Sequence, residues 1–351
     1  MLLVLVLGGA LWGIGVGMKA PLKARLVMIG LLYLSVLLGH AILPEGNSLR
    51  LATGESAAPW LLIGAAFALI LLYRQGLRQL RKKALSKEDR HESKTKPGSF
   101  SEVELNRYAR HIVLREVGGP GQKALKNASV LVVGAGGLGS PALQYLAAAG
   151  VGTIGVVDDD VVDGANLQRQ VIHKDAAIGM AKVFSAQAEL EAQNPFVKIL
   201  PYNRRLDEET AVKLFVDYDV ILDGTDNFET RYLINAAAAK SGKPLVSGAL
   251  TQWEGQVSVF DPAQNAPCYQ CIFPQAPDAE LAPPCSQAGV IGPLPGVIGT
   301  LMALETLKLI TGAGQVLRGE MLIFDGLYGE TRKITLKRRA DCPVCSSSSS
   351  P

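Results

Sequence analysis

Gly134, Gly136 and Gly139 stand in the run Val130-Leu-Val-Val-Gly-Ala-Gly-Gly-Leu-Gly-Ser140, at a spacing that suits a phosphate. A β-branched stretch enters the turn, and Pro141 to Ala149 leaves it with the composition of a helix. The first glycine permits a tight turn, the second lets the backbone approach a phosphate, and the third lets the helix pack on the strand. With Gly137 they form a candidate nucleotide cradle. A second strand pattern, Thr153 to Val157, runs into Asp158, an acid placed to hold a ribose hydroxyl. These residues alone leave an NAD-dependent oxidoreductase open. The polar residues downstream argue instead for breaking ATP between its α and β phosphates. That attack brings an anion toward a polyanion, and cations placed where charge develops lower the barrier.

Four of the five cysteines form two CxxC pairs, Cys268/Cys271 and Cys342/Cys345. Four thiolates close a tetrahedral zinc site, and a closed site is structural. The fifth, Cys285, follows a Pro/Ala-rich stretch. A thiolate there would attack an acyl-adenylate or a persulfide; a spectator thiol is the alternative.

The segments Arg107–His111, Asn166–Gln170, Gly179–Lys182 and Leu222–Asn227, taken with the glycine turn, occur in one order. This set resembles the MoeB/ThiF/HesA family of ubiquitin-activating-type adenylyltransferases, most of all its MoeB-like branch, over about residues 100–345. The resemblance implies a Rossmann-like α/β fold with a mixed sheet. It implies an enzyme that uses ATP and Mg²⁺ to adenylate the C-terminal glycine of a ubiquitin-like sulfur carrier ending in Gly-Gly. The small subunit of molybdopterin synthase, in molybdenum cofactor biosynthesis, is the favoured carrier, and the thiamine sulfur carrier is the alternative. By resemblance, Arg169 and Lys182 contact the phosphates, Asp226 holds magnesium, Asp158 holds the ribose, and Asn166 bonds on the phosphate side. Arg110 reaches in from the second subunit of a homodimer, Cys285 takes part in sulfur transfer in ThiF-like members, and the four paired cysteines hold structural zinc. No rhodanese-like domain follows Cys345, so a separate sulfurtransferase or cysteine desulfurase is expected to supply sulfur.

These groups need a sheet and helices to hold them. Strands are expected at Val130–Val133, Thr153–Val157, Val197–Leu200, Val220–Leu222, Leu245–Ser247, Gln256–Phe260, Met321–Phe324 and Lys333–Leu336. Helices are expected at Glu102–Val117, Gly137–Ala149, Met180–Gln193, Glu208–Val216, Asn227–Ser241 and Val297–Thr311. The early strands alternate with helices and should pair in parallel; the later ones should be antiparallel.

The chain has 351 residues. Its charge is split: residues 1–98 hold thirteen Lys/Arg against five Asp/Glu, and the rest twenty-two against twenty-seven. An acidic catalytic part argues against nucleic acid as a partner. Three apolar runs, Met1–Met18, Leu26–Leu43 and Pro59–Tyr73, predict about three transmembrane helices within residues 1–75. A signal peptide is the alternative for the first, and an interfacial helix for the third. Lys19, Lys23 and Arg25 follow the first run, and Arg74, Arg78, Arg81, Lys82 and Lys83 follow the third. Basic loops face the cytoplasm. The expectation is therefore an anchor in the cytoplasmic membrane, contact with lipid, and a cytoplasmic catalytic domain at 100–345. A basic and polar linker at 76–99 joins them, and a disordered tail covers 346–351.

Overall fold

The computed structural model describes residues 2–54, 56–92, 99–277 and 288–346, with 80–92 described by backbone alone. Cys285 and residues 347–351 of the expected tail lie outside the described residues. The chain separates into two compact units, Met1–Lys94 and Thr95–Pro351.

The first unit is helical: α1 (Leu2–Gly17), α2 (Leu22–Ile42), α3 (Ser48–Thr53) and α4 (Ala58–Glu92). Leu22–Ile42 and Ala58–Gln79 are long and apolar enough to cross a membrane, and α1 is shorter at 16 residues. Sixteen residues rise about 24 Å, less than a hydrocarbon core of roughly 30 Å. Few apolar side chains find partners inside this unit. Val4, Val36 and Trp60 are buried together, while Leu61, Leu62, Phe67, Leu69, Ile70 and Leu72 face outward. Trp60 ties three elements: its carbonyl accepts from the Tyr33 hydroxyl at 2.6 Å, and its Nε1 donates to the Thr53 carbonyl at 3.1 Å. Gly9, Gly13 and Gly17 fall every fourth residue along α1, and among the described residues nothing lies within 4 Å of a Cβ added to any of them, so this face makes no close helix contact there. The helix α4 runs on through Glu92, so the first part of the expected linker is helical. Leu77, Leu80, Ala84 and Leu85 are good helix formers past the apolar run, and after Gly76 no glycine or proline comes before Pro97.

The second unit is an eight-stranded sheet in the order β3-β2-β1-β4-β5-β6-β7-β8. The strands are β1 (Ser129–Val133), β2 (Thr153–Val157), β3 (Lys198–Tyr202), β4 (Val220–Asp223), β5 (Leu245–Thr251), β6 (Glu254–Phe260), β7 (Glu320–Asp325) and β8 (Glu330–Thr335). From β3 to β5 all pairs are parallel, and from β5 to β8 all are antiparallel. This is the mixed sheet that the sequence predicts. Alternation along β1 sends Val130 and Val132 to one face and Leu131 and Val133 to the other. The first face is covered by α7 (Gly139–Ala149), α8 (Lys182–Gln193) and a C-terminal helix, Pro293–Thr311. The opposite face is covered by α9 (Glu208–Phe215) and α10 (Phe228–Ser241). Pro293–Thr311 also has the length and apolar content of a membrane span. Its Leu294, Ile298, Met302 and Ala303 pack into the core instead.

The expected helix Glu102–Val117 stops early, as α5 (Glu102–Ile112), and an unexpected helix, α6 (Gly118–Asn127), follows it. A capping box starts α5: the Ser101 hydroxyl accepts from the Glu104 amide, and the Glu104 carboxylate accepts from the Ser101 amide. Gly118-Gly-Pro-Gly reads as a turn, yet Pro120 falls in the first turn of α6, where a missing N–H costs nothing.

Candidate active site

Strand order reverses between β1 and β4, and the crevice beyond their carboxyl ends is where open α/β sheets take ligands. A cleft of about 1040 Å³ opens there. Gly134, Gly136, Gly137, Asp158, Arg169, Lys182 and Asp226 all line it, so seven of the expected residues converge although they span almost a hundred positions. Gly139, Asn166 and Arg110 are not in the lining. Gly139 starts α7 so close to the Gly134 carbonyl that any Cβ would collide. Gly134 itself has φ +95°, and a Cβ there would lie 2.9 Å from the Gly224 carbonyl oxygen. Asn166 accepts from Arg169 Nη2 at 2.7 Å and so orients the guanidinium. Arg110 is exposed on α5.

Asp158 follows β2. Its Oδ2 accepts from the Ala135 amide at 2.7 Å and its Oδ1 from the Asp160 amide at 2.9 Å. Burial pushes its pKa up, against the pull of Lys182 and the two amides. Lys182 begins α8 and is 4 % exposed. Its Nζ lies 2.7 Å from Asp160 Oδ2, and its amide donates to the Asp160 carbonyl at 2.9 Å. The charged amine is therefore held at the wall of the cleft by backbone and side chain together.

On the far side, β4 leads into Gly224-Thr-Asp-Asn227. Asn227, not Asp226, caps α10 by accepting from the Thr230 amide at 2.9 Å, which leaves the Asp226 carboxylate exposed to the cleft. A buried ion pair lies under this loop. Arg231 Nη1 meets Asp223 Oδ2 at 3.2 Å, and Nη2 reaches the carbonyls of Thr225 and Gly248. Asp223 also accepts from Ser247 and Thr225. The guanidinium thus fixes the loop that carries Asp226.

Sequence reading missed Asp160, Arg231 and the lining pair Arg204 and Arg205. It also missed His173, which is 5 % exposed and supports the glycine turn. Its Nε2 meets the Ala135 carbonyl at 2.9 Å, and its Nδ1 meets the Ser185 hydroxyl at 2.9 Å. The carbonyl only accepts, so the proton sits on Nε2 and Nδ1 accepts from the hydroxyl. Burial pushes the His173 pKa below 6.5; the Ala135 bond opposes this and Lys182 adds to it. As pH falls through 6.5 the unfolded chain takes up a proton that the fold refuses, so stability present above that pH is lost below it. Urea unfolding between about pH 7.5 and 5 should show a larger fall in midpoint for the wild type than for His173→Gln. Parallel falls in the two proteins would contradict this.

The two CxxC pairs come together. Sγ–Sγ distances are 3.8 Å for Cys268–Cys271, 3.5 Å for Cys268–Cys342 and 3.4 Å for Cys271–Cys345. A disulfide is about 2.05 Å, whereas four sulfurs at about 2.3 Å from a tetrahedral zinc are roughly 3.8 Å apart. All four sulfurs lie within 4.8 Å of one another and all are buried, so the set fits a closed Cys₄ centre. Burial raises the Cys268 pKa. Cys342 is brought down to about 7: burial acts against this, and the amides of Cys345 and Val344 outweigh it.

A model of the ThiF family matches residues 108–344. The sulfur carrier protein adenylyltransferase of Thermus thermophilus is 48% identical over 250 residues, covering 70% of this chain and 92% of that protein. The adenylyltransferase and sulfurtransferase MOCS3 of Sus scrofa is 49% identical over 248 residues, again 70% of this chain but 54% of that one. The chain thus spans about half the length of MOCS3. A crystal structure of E. coli MccB with ATP superposes with a TM-score of 0.60 at 23% identity, covering 68% of this chain and 74% of that one. The glycine turn, the acid after β2, the mixed sheet and the match across two thirds of the residues agree, and the chain belongs to the ThiF family.

Proposed function

We propose that this protein adenylates the C-terminal glycine of a ubiquitin-like sulfur carrier, with the small subunit of molybdopterin synthase as the favoured carrier. The observation that carries this reading is Lys182, Arg169 and Asp226 on the walls of one cleft beside the glycine turn. Similarity to the Thermus protein along almost its whole length supports it. Similarity of Arg107–His111 and Asn166–Gln170 to the MoeB-like branch favours molybdopterin synthase over the thiamine carrier.

In this reading the carrier's carboxylate attacks the α-phosphate of ATP and displaces pyrophosphate. Gly134, Gly136 and Gly137 let the backbone close on the phosphates. Asp158 holds the ribose. Lys182 and Arg169 meet the charge that builds on the leaving group, and Asn166 aims Arg169. An exposed carboxylate on the cleft wall suits Mg²⁺, which would neutralise phosphate charge, and in this reading Asp226 would hold it. Arg110 is exposed and outside the lining of its own cleft, and in this reading it completes the site of a second copy in a homodimer. Cys285 is a candidate for sulfur transfer, and the four paired cysteines hold structural zinc. Release of pyrophosphate from ATP only when carrier is added tests the proposal. ATP-independent hydride transfer to NAD would overturn it.

The helical unit anchors the enzyme in the cytoplasmic membrane with its catalytic domain in the cytoplasm. Outward-facing leucines on α2 and α4 and the basic residues that follow α1 and the apolar part of α4 support this. Single cysteines introduced as Ser48→Cys and Arg90→Cys in the full chain should react with an impermeant thiol reagent from opposite sides of the membrane. Labelling from one side would overturn the three-span arrangement.

A further inference from the structure

The first sixteen residues of α4, 58–73, carry no charge. They rise about 24 Å, short of a hydrocarbon core of roughly 30 Å. In the anchorage reading, Arg74 therefore leaves the helix at or just inside the edge of the hydrocarbon. A guanidinium there must reach outward to the headgroups. Arg74 and Arg78 are both exposed, and the nearest acids in the sequence are Glu55 and Glu88. No acid three or four places along the helix can pair with either of them. By register, Arg74, Arg78, Arg81 and Lys82 stand at i, i+4, i+7 and i+8 on one face of α4. Tyr73, Leu77, Leu80 and Ala84 fall together on another face.

The charge is also graded along the helix axis. Residues 74–83 hold five basic side chains and no acid, whereas residues 84–92 hold two basic side chains against three acids. The potential of an anionic membrane fades within a Debye length, about 8 Å. The basic stretch rises about 15 Å, part of it at headgroup depth, so it ends about where that potential does. We propose that this face of α4 binds the phosphates of anionic phospholipid headgroups, with Arg74 and Arg78 as the first contacts. This rests on the anchorage reading above and names the class of lipid that the anchor selects. A guanidinium forks onto two phosphate oxygens, which suits Arg to the task. Arg74 and Arg78 belong to the apolar segment Ala58–Gln79, at a depth that a nucleic acid or an acidic protein in solution does not enter.

Titration of the full chain in nonionic detergent with fluorescently tailed phosphatidylglycerol, and separately with phosphatidylcholine, tests this. The wild type should prefer the anionic lipid about thirtyfold, taking about fivefold for each of two guanidinium contacts. Arg74→Gln with Arg78→Gln should bring that preference to within about threefold, with phosphatidylcholine affinity unchanged. Lys87→Gln with Arg90→Gln removes as much charge beyond the stripe and should leave the preference above about tenfold. Equal affinity of the wild type for the two lipids would overturn the proposal, and so would a preference unchanged by the first pair of substitutions. An equal loss from the second pair would also overturn it, because net charge alone would then be acting. Displacement of the lipid by an RNA oligonucleotide at equal concentration would mark a site for a soluble polyanion instead. A full chain that stays in solution without detergent would overturn the anchorage reading, and the lipid site with it.

Discussion

Lys182→Ala should lower carrier-dependent pyrophosphate release by about 10²–10³-fold, the usual loss when a group aimed at developing charge is removed. Lys182 carries a full charge to the cleft wall and is 4 % exposed, so little water screens it. Unfolding would not account for the loss. Its partner Asp160 has a side chain 67% exposed, and water can solvate that carboxylate once the amine is gone. Lys182→Arg should recover only part of the rate. It keeps the charge, but a planar guanidinium on a longer stem cannot occupy a pocket cut for a compact amine. Asp160→Asn is a useful contrast, because it frees the amine without removing it. A Lys182→Ala rate within about threefold of the wild type would remove this residue from the site.

Cys342→Ser should lower the melting temperature of the catalytic unit by roughly 10 °C. Structural zinc binding carries roughly 10–16 kcal/mol, and losing about a third of that, at about 2–4 °C per kcal/mol, gives this shift. The effect should exceed that of an ordinary buried thiol, because the four sulfurs lie 3.4–3.8 Å apart along the measured edges. Without an ion, thiolates at that separation repel, and thiols pack poorly. Metal analysis of the wild type should find about one zinc per chain. A strong chelator should reproduce the destabilisation in the wild type and add nothing in the variant. A metal-free wild-type protein with an unchanged melting temperature would show that the cluster is only a buried thiol core.

Much of this was legible in the residues. β-branched runs such as Val130–Val133 and Val220–Leu222 mark strands because a buried parallel strand has no polar face to confuse the pattern. Two CxxC pairs identify their own partners because sulfur chemistry leaves few alternatives. Arg231 was not legible. On the helix pattern of Asn227–Ser241 it reads as one more solvated charge, and only the placement of Asp223 at the end of β4 buries it. His173 failed for the same reason: its neighbour, Ala135, is thirty-eight positions away. Asp160 lies beside an acid already assigned to ribose, and its pairing with Lys182 needs the chain to return across twenty-two positions. Helix α6 was hidden by local composition, since Gly118, Gly119 and Gly121 all argue for a turn.

The change of strand direction within one sheet has a kinetic consequence. Thr251 pairs with Glu254 and Asp325 with Glu330 across very short loops, whereas Val130 must find Val220 and Thr153 must find Lys198. Closing a short loop loses little chain entropy, and closing a long one loses more before any contact repays it. The two hairpins are therefore the parts of this sheet that can assemble from their own sequence neighbourhood. The phosphate-binding half must wait until distant segments have met, so refolding of the nucleotide crevice is the slow event.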